Sequence, residues 1–240
     1  MDEHEFSEWR CSLEGRVFLA SSEEEIFLCL RTAFLELGFD RFSCVISHVA
    51  PFVDKCIRVV GNFPESWVDV CLKGNLVLHD PIVELCAKNN GVVAWRGREI
   101  CSSKCVLGML TQSGLESGLS CLVCPVKCVG GIFSIARSDG DISELECSFL
   151  RRRVRQIALL VVDRLMSMDG FEPFDKFASL SYREIQVLRC VADGETSKAI
   201  AHSLSISSDT VNFHLKSIFQ KLGACNKAQA AAYAAIYGLI

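Results

Sequence analysis

Polar side chains that could contact a nucleic acid are concentrated between residues 208 and 216. The group comprises Ser208, Asp209, Thr210, Asn212 and Lys216. An asparagine amide can form two hydrogen bonds with adenine, whereas a lysine ammonium pairs with phosphate oxygens. Asn212 is therefore the candidate for reading a base. Phosphate contacts are predicted for Lys216 and for three nearby lysines, Lys198, Lys221 and Lys227.

The elements that must hold this group are four predicted helices after residue 180. Ser181 and Glu184 have the spacing of a capping box, which opens a helix over 182–192, and a short helix over 197–204 follows. The third helix, over 208–222, carries the polar group on one side. On its other side lies an apolar stripe of Val211, Leu215, Ile218, Phe219 and Leu222. A fourth, alanine-rich helix begins after Asn226 and ends at Gly238.

A short helix, a tight turn and a helix with a polar first turn are typical of a helix-turn-helix. The apolar stripe would hold the third helix rigidly. Its polar start, where backbone N–H groups and the positive helix end favour phosphates, would stay open to DNA. The alternative is a plain four-helix unit in which these polar residues only cap helices.

The first 166 residues mix helical and strand patterns. Helices are predicted over 4–19, 23–37, 64–73, 80–89, 102–117 and 142–166; strands are predicted over 41–49, 56–63, 92–95, 119–127 and 130–138, the last two joined by a turn near 129–131. We therefore expect an α+β chain: an N-terminal α/β/α sandwich with an antiparallel sheet over 1–166, and an all-α four-helix unit over 180–240. Residues 167–179, with Gly170 and Pro173, are the predicted linker.

The long helix over 142–166 is a candidate dimer contact. Its apolar residues, Ile142, Leu145, Phe149, Val154, Ile157, Leu160 and Val161, cover more surface than packing on one sheet face requires. We therefore expect a homodimer that pairs through this helix. The arginines at 151, 152, 153 and 155 form a basic run, which is usually a solvated helix face.

Composition limits the classes of function. The N-terminus is acidic and is followed by no apolar run, and no stretch approaches the roughly 18 uninterrupted apolar residues of a membrane helix, so we expect a cytoplasmic protein without membrane contact. The net charge is −4, and residues 171–240 hold 7 Lys and Arg against 6 Asp and Glu. Any nucleic-acid surface there must therefore be local.

The chain contains 14 cysteines. Cys121, Cys124 and Cys128, with Cys101 and Cys105 upstream, raise a metal or redox hypothesis. Against it, residues three apart on a strand point to opposite faces, so plain packing is the favoured explanation of these thiols. No metal is expected.

The C-terminal unit resembles the LuxR-type DNA-binding domain over about 55 residues without gaps. The matching positions are Glu184, Leu188, Gly194, Ile200, Ala201, Thr210, Val211, His214, Ile218, Lys221, Leu222, Ala228 and Ala230. The front half resembles the autoinducer-binding domain of quorum-sensing regulators. Its landmarks are Pro64-x-x-Trp67 and Asp80-Pro81, with Trp95, Gly118 and Ser134 downstream.

This resemblance implies an acyl-homoserine lactone bound between the sheet and a helical layer. Trp67 would donate to the lactone carbonyl, and Asp80 would accept from the ligand amide. Trp95 would pack on the lactone ring, and Ser134 could donate to the acyl carbonyl. Phe63 and Cys71 would also line the site, where the family usually has tyrosines. A buried carbonyl left unpaired by their loss would cost about 1–3 kcal/mol.

The function that these features predict is a sequence-specific, dimeric transcription regulator of the LuxR quorum-sensing type, which binds a palindromic DNA operator. RNA polymerase is considered as a further partner. A ligand-independent or redox-responsive regulator is the alternative, because Trp67 and Trp95 could be core aromatics and Asp80-Pro81 could simply start a helix. No constellation of nucleophile and base suggests an enzyme.

Overall fold

A computed structural model describes residues 3–48, 57–73, 81–97, 109–110, 112–126, 129–168 and 180–240. The chain divides into two compact units, residues 1–169 and 170–240. The predicted ligand contact Asp80, the cysteines Cys101, Cys105 and Cys128, and positions 169–179 of the predicted linker lie outside the described residues, as does the side chain of Cys124.

Five helices and five strands of the first unit have both ends within the described residues. The helices are α1 (Glu3–Leu19), α2 (Glu23–Glu36), α3 (Glu65–Lys73), α4 (Pro81–Lys88) and α5 (Glu144–Met168). The strands are β1 (Arg41–His48), β2 (Ile57–Gly61), β3 (Val92–Arg96), β4 (Ser117–Val126) and β5 (Val129–Arg137). Ser22 caps α2 by accepting from the backbone N–H of Glu25, as the spacing of these two residues predicts.

The five strands form one antiparallel sheet in the order β2-β1-β5-β4-β3. Strand residues alternate between the two faces, so Val45, Ile132 and Ala136 share one face and belong to a buried cluster with side chains of α3 and α4. On the other face Phe42 and Phe133 each pack against Phe34 of α2. Helices thus cover both faces, which confirms the predicted α/β/α sandwich.

The hairpin of β4 and β5 differs from its prediction. The turn was expected at 129–131, but Val129 begins β5 and Gly130 and Gly131 pair with β1. A Cβ at Gly131 would lie 2.7 Å from the carbonyl oxygen of Val45, so this glycine permits close strand approach rather than a turn. The helix predicted to reach 117 was also too long, since Ser117 begins β4.

Helix α5 packs one side on the sheet. Val154, Ile157 and Val161, three residues of the predicted dimer contact, are buried within the unit. Leu145 is 84% exposed and Leu159 is 41% exposed, so apolar surface also faces outward. Ile142 is buried but precedes the helix, which begins at Glu144.

The described residues of the second unit, 180–240, form helices and no strand. Its helices are α6 (Tyr182–Ala192), α7 (Ser197–Ser203), α8 (Ser208–Leu222) and α9 (Lys227–Ile236). Ser181, Thr196, Ser207 and Asn226 each accept a backbone hydrogen bond at a helix start. The order and the near-coincident bounds confirm the four predicted helices.

The described residues were compared with the requirements of a disulfide, a metal site and a membrane-spanning helix. Nine described cysteines are unbridged thiols, and no group of three or more metal-binding side chains occurs in this part of the chain. Burial raises the pKa of the Cys44 thiol to about 12. None of the helices that the structure describes is long and apolar enough to cross a bilayer.

Candidate DNA-binding surface and buried pocket

Helix α8 is divided into a buried side and an exposed side. Val211, Leu215, Ile218 and Leu222 are buried, as the apolar stripe predicts. Asp209, Asn212 and Lys216 are exposed, and Ser208 and Thr210 are half-buried. The candidate base-reading residue and one candidate phosphate contact therefore point outward along the same helix. Lys198, on α7, is also exposed.

Glu184 of α6 holds α8 through hydrogen bonds to two of its side chains. Its carboxylate is 4% exposed and accepts from Ser217 at 2.6 Å and from Lys221 at 2.8 Å. It also completes the capping box by accepting from the backbone N–H of Ser181 at 2.6 Å. Burial alone would raise the pKa of Glu184, but hydrogen bonds from Lys221, Ser217 and Ser181 lower it to about 2.

This ion pair changes the interpretation of Lys221. The sequence suggested a phosphate contact, but the ammonium lies against Glu184 and is partly buried. If Lys221 turned away towards a phosphate, the buried carboxylate of Glu184 would lose its counter-charge, which is strongly destabilising. Lys227 is likewise bonded, donating to Ser197 at 2.9 Å. We therefore do not carry Lys221 or Lys227 into the proposed DNA contacts.

The turn between α7 and α8 is tightly held. Ser205 has φ of 53°, in the left-handed region that few residues other than glycine adopt. Arg183 of α6 donates to the carbonyl of Leu204 at 2.7 Å, and the backbone N–H of Ile206 donates to Ala201 at 3.0 Å. These bonds fix the angle at which α8 leaves the turn.

Phe213 is a surface residue that the sequence reasoning missed. It is 71% exposed, next to Asn212 and one turn before Lys216. The helical periodicity could have revealed its exposure, because position 213 lies off the apolar stripe marked by the buried residues Val211 and Leu215. An exposed aromatic ring on this face can make apolar contact with a thymine methyl group.

In the first unit, the predicted pocket residues converge on one buried cluster. Phe63, Trp67, Cys71 and Trp95 all belong to it, and each is at most 5% exposed. The Phe63 and Trp67 rings meet edge to face, with centroids 4.9 Å apart. Ser134 is 3% exposed and lies on the same sheet face, two residues from Ile132 of the cluster.

The indole N–H of Trp67 is buried and has no hydrogen-bond partner among the described residues. Leaving a buried donor unsatisfied costs about 1–3 kcal/mol. An ordinary core tryptophan finds a partner for this group. The orphaned donor is the feature that a ligand oxygen would complete.

Trp95 is arranged differently. Its indole N–H donates to Ser120 at 3.0 Å, and the Ser120 and Ser134 hydroxyls lie 2.8 Å apart. Gly118 leaves room for the ring, since a Cβ there would lie 2.3 Å from the Trp95 Cζ2 atom. The structure thus places Trp95 against the sheet and couples it to Ser134 through Ser120, which the sequence reasoning did not single out.

A buried cluster that contains an unsatisfied donor, followed by a helix-turn-helix unit with an exposed polar face, is the arrangement expected of a ligand-sensing DNA-binding regulator. The family profiles agree with both units. The autoinducer binding domain matches residues 22–165, and the bacterial regulatory proteins of the luxR family match residues 178–234.

Individual relatives cover nearly the whole chain. The quorum-sensing regulator RhlR of Pseudomonas aeruginosa is 30% identical over 232 residues, which is 97% of this chain and 96% of that protein. The regulatory protein SdiA of Escherichia coli is 28% identical over 241 residues, covering both chains fully. A crystal structure of SdiA superposes with a TM-score of 0.77 over 98% of this chain and 99% of that one, at 28% identity.

SdiA has also been solved in complex with octanoyl-rac-glycerol, and that structure superposes with a TM-score of 0.73, at 28% identity, over 100% of this chain and 98% of that one. The chain belongs to the LuxR family of quorum-sensing transcription regulators. Its relatives are regulators rather than enzymes.

Proposed function

We propose that this regulator works as a homodimer that binds a palindromic operator through α8 and responds to a small acyl compound of the acyl-homoserine lactone type. The observation that carries the proposal is the division of α8. Its back is anchored by four buried apolar residues and the Glu184 ion pair, and its front presents Asn212, Phe213 and Lys216 to solvent.

The side chains near the start of α8, together with Lys198 of α7, each have a role in this proposal. Asn212 reads a base through its amide, and Phe213 contacts a thymine methyl. Lys216 and Lys198 neutralise phosphates. Ser208 and Thr210 lie at the helix start, where their hydroxyls and the backbone N–H groups meet phosphate oxygens. Asp209 is positioned to accept from a cytosine amine and to repel a misplaced phosphate.

The proposed homodimer matches the two-fold symmetry of the proposed palindromic operator. Two recognition helices can enter successive major grooves about 34 Å apart only if two copies of the chain pair. The outward apolar residues Leu145 and Leu159 of α5 supply the surface for this pairing. RNA polymerase is the further partner that we propose, since a regulator bound at an operator must act on transcription through it.

The ligand site is the cluster around Trp67. Its indole N–H requires an acceptor, which a lactone or ester carbonyl supplies. Phe63, Cys71 and Trp95 form apolar walls, and we assign Ser134 the role of donor to an acyl carbonyl. Asp80 is proposed to accept from a ligand N–H or O–H. The octanoyl glycerol bound by SdiA has the same chemistry, an apolar chain joined to a head with several oxygens.

Ligand binding affects DNA binding by raising the fraction of dimers in the arrangement that can bind the operator. A ligand buried in the first unit favours the dimer arrangement competent for the operator only to the extent that it binds that arrangement more tightly. The corresponding measurement is native mass spectrometry of the full chain with a panel of N-acyl-homoserine lactones. A dimer that takes up one lactone per chain supports the proposal. A dimer that binds the operator but no member of the panel indicates a ligand-independent regulator.

The DNA-reading surface is tested with Asn212→Ala. We expect the variant to lose discrimination between its operator and unrelated DNA by about 1–3 kcal/mol while remaining folded. Gln220→Ala is the matched control, because it removes an exposed amide from the same helix two turns away. Equal operator affinity for the Asn212→Ala protein and the wild type would overturn the assignment of Asn212.

A further inference from the structure

Arg58 joins the wall of the proposed ligand site to the end of α5. It lies on β2 between Ile57 and Val59, which pack against the buried cluster of that site from one face of the sheet. Because side chains alternate along a strand, Arg58 points to the other face. There its Nη1 donates to the carbonyl of Leu165 at 3.3 Å, and its Nη2 pairs with the carboxylate of Glu23 at the start of α2. The Arg58 side chain is 15% exposed, so both contacts lie largely out of solvent.

The strand that carries Arg58 is at the edge of the described sheet. In the strand order β2 stands last and pairs with β1, over residues 57–61. It is followed by Phe63 and then by α3, whose Trp67 and Cys71 belong to the buried cluster of the ligand site. Segments held by few contacts open locally at a lower free energy than the centre of a fold. A ligand that fills this cluster should therefore hold β2 and α3 in one position, and Arg58 with them.

The carbonyl that Arg58 contacts is in the last turn of α5. The last four carbonyls of a helix have no donor within the helix, and Leu165 is one of these four residues. The last turn of α5 contains no basic residue, so Arg58 brings a positive charge to the negative helix end from another element. From α5 the chain continues towards the second unit, which begins at residue 170. Losing the Arg58 contact should therefore loosen α5 where it leaves the first unit.

Arg164 holds the same end of α5 from a different direction. It donates to the carbonyl of Ala20, in the connection between α1 and α2, and to the hydroxyl of Ser167. Neither Ala20 nor Ser167 belongs to the buried cluster of the ligand site. Two arginines thus anchor the end of α5, and Arg58 is the one that reaches it from the wall of the ligand site.

We infer that Arg58 is a positioning residue that transmits occupancy of the ligand site to the last turn of α5, and through it to the DNA-binding unit. The inference rests on the proposed function, because it names the residue through which that ligand site regulates operator binding. Such coupling is reciprocal. The operator must tighten ligand binding by the same factor by which the ligand tightens operator binding.

The first experiment is hydrogen exchange of the full chain with and without N-octanoyl-homoserine lactone. In the wild type the lactone should slow exchange in peptides from α3 and from the end of α5, the latter about tenfold. Arg58→Gln should keep the ligand effect on α3 and lose the effect on α5, whereas Arg164→Gln, the matched control, should keep both. The lactone should likewise raise operator affinity about tenfold in the wild type and in Arg164→Gln, but less than about twofold in Arg58→Gln. Equal ligand responses in the two variants would overturn the inference.

A second experiment needs no ligand and so separates the inference from the proposed ligand class. Phe63→Leu trims a ring of the buried cluster and should speed exchange at the end of α5 only while Arg58 is present. In the Arg58→Gln background the same change should have no further effect there, because coupled residues are not additive. Additive effects of the two changes would show that Arg58 does not carry the coupling. If the wild type binds no lactone, the proposed ligand class fails, and this comparison alone decides the role of Arg58.

Discussion

Lys221 donates to the carboxylate of Glu184 across 2.8 Å, and this bond joins the last turn of the recognition helix α8 to the first turn of α6. Ser217 donates to the other carboxylate oxygen, so both oxygens of a buried acid are held by α8. The geometry of the DNA-reading face therefore depends on a charged pair on the opposite side of the helix.

Glu184→Gln should destabilise the second unit by about 3 kcal/mol, because it leaves Lys221 partly buried beside a neutral amide. Hydrogen exchange of peptides from α6 and α8 measures this change. Asp193→Asn, which neutralises an exposed acid at the end of α6, is the control and should have little effect. Equal protection in the two variants would contradict the role given to Glu184.

The same carboxylate predicts an acid transition. The pKa of Glu184 in the folded chain is about 2, below its ordinary value of 4.5. A lowered folded pKa means that the stabilisation is complete above pH 4.5 and is lost as the pH falls from 4.5 towards 2. Urea unfolding of the second unit should therefore weaken across this window in the wild type. Glu184→Gln should remove Glu184's share of this loss of stability.

Lys216→Ala should lower operator affinity about equally for all sequences and reduce the salt dependence by about one counterion. The measurement is the slope of log affinity against log salt concentration. The control is Lys88→Ala, which removes the same charge from the first unit, where the exposed Lys88 pairs with Glu84. An unchanged slope for Lys216→Ala would show that this lysine does not meet a phosphate.

Ser205→Gly should stabilise the second unit by about 1 kcal/mol, because glycine adopts the left-handed backbone of residue 205 without strain. Ser203→Gly, in the last turn of α7, should have the opposite sign, since glycine disfavours helix. Thermal unfolding of both variants provides the comparison. If Ser205→Gly destabilises the protein, the serine makes a contribution that its backbone angle does not explain.

Trp67→Phe and Trp95→Phe should separate the two buried tryptophans. The first change removes an indole N–H that has no partner in the described structure, so it should cost less stability than the second, which breaks the bond to Ser120. Ligand affinity should follow the reverse order, falling about ten- to a hundredfold for Trp67→Phe. Tryptophan fluorescence reports unfolding of the first unit directly, because Trp9, Trp67 and Trp95 all lie in it.

The sequence predicted the second unit most closely. Capping residues such as Ser181 and Asn226 act through backbone groups within one turn, so their spacing alone places the helix starts. The exposed face of α8 follows from the phase of Val211 and Leu215. These are local effects, and local effects are visible in a short stretch of sequence.

The parts that the sequence did not predict depend on residues far apart in the chain. Lys221 and Glu184 are 37 positions apart, and their pairing appears only when α6 packs on α8. The contacts of Ser120 are similar: Trp95, Ser120 and Ser134 lie on three strands, and only the pairing of those strands brings their polar groups together. Gly131 was misread because a glycine in a strand and a glycine in a turn look alike until the strand register is known.

The packing around Gly118 limits which substitutions this position can accept. Even a single methyl at position 118 would press on the Trp95 ring at 2.3 Å and on the main-chain oxygen of Ile135 at 2.5 Å. Shrinking the tryptophan would relieve only the first collision. In a saturation library, codon 118 should therefore be among the least tolerant of the first unit, and no compensating change at codon 95 alone should rescue it.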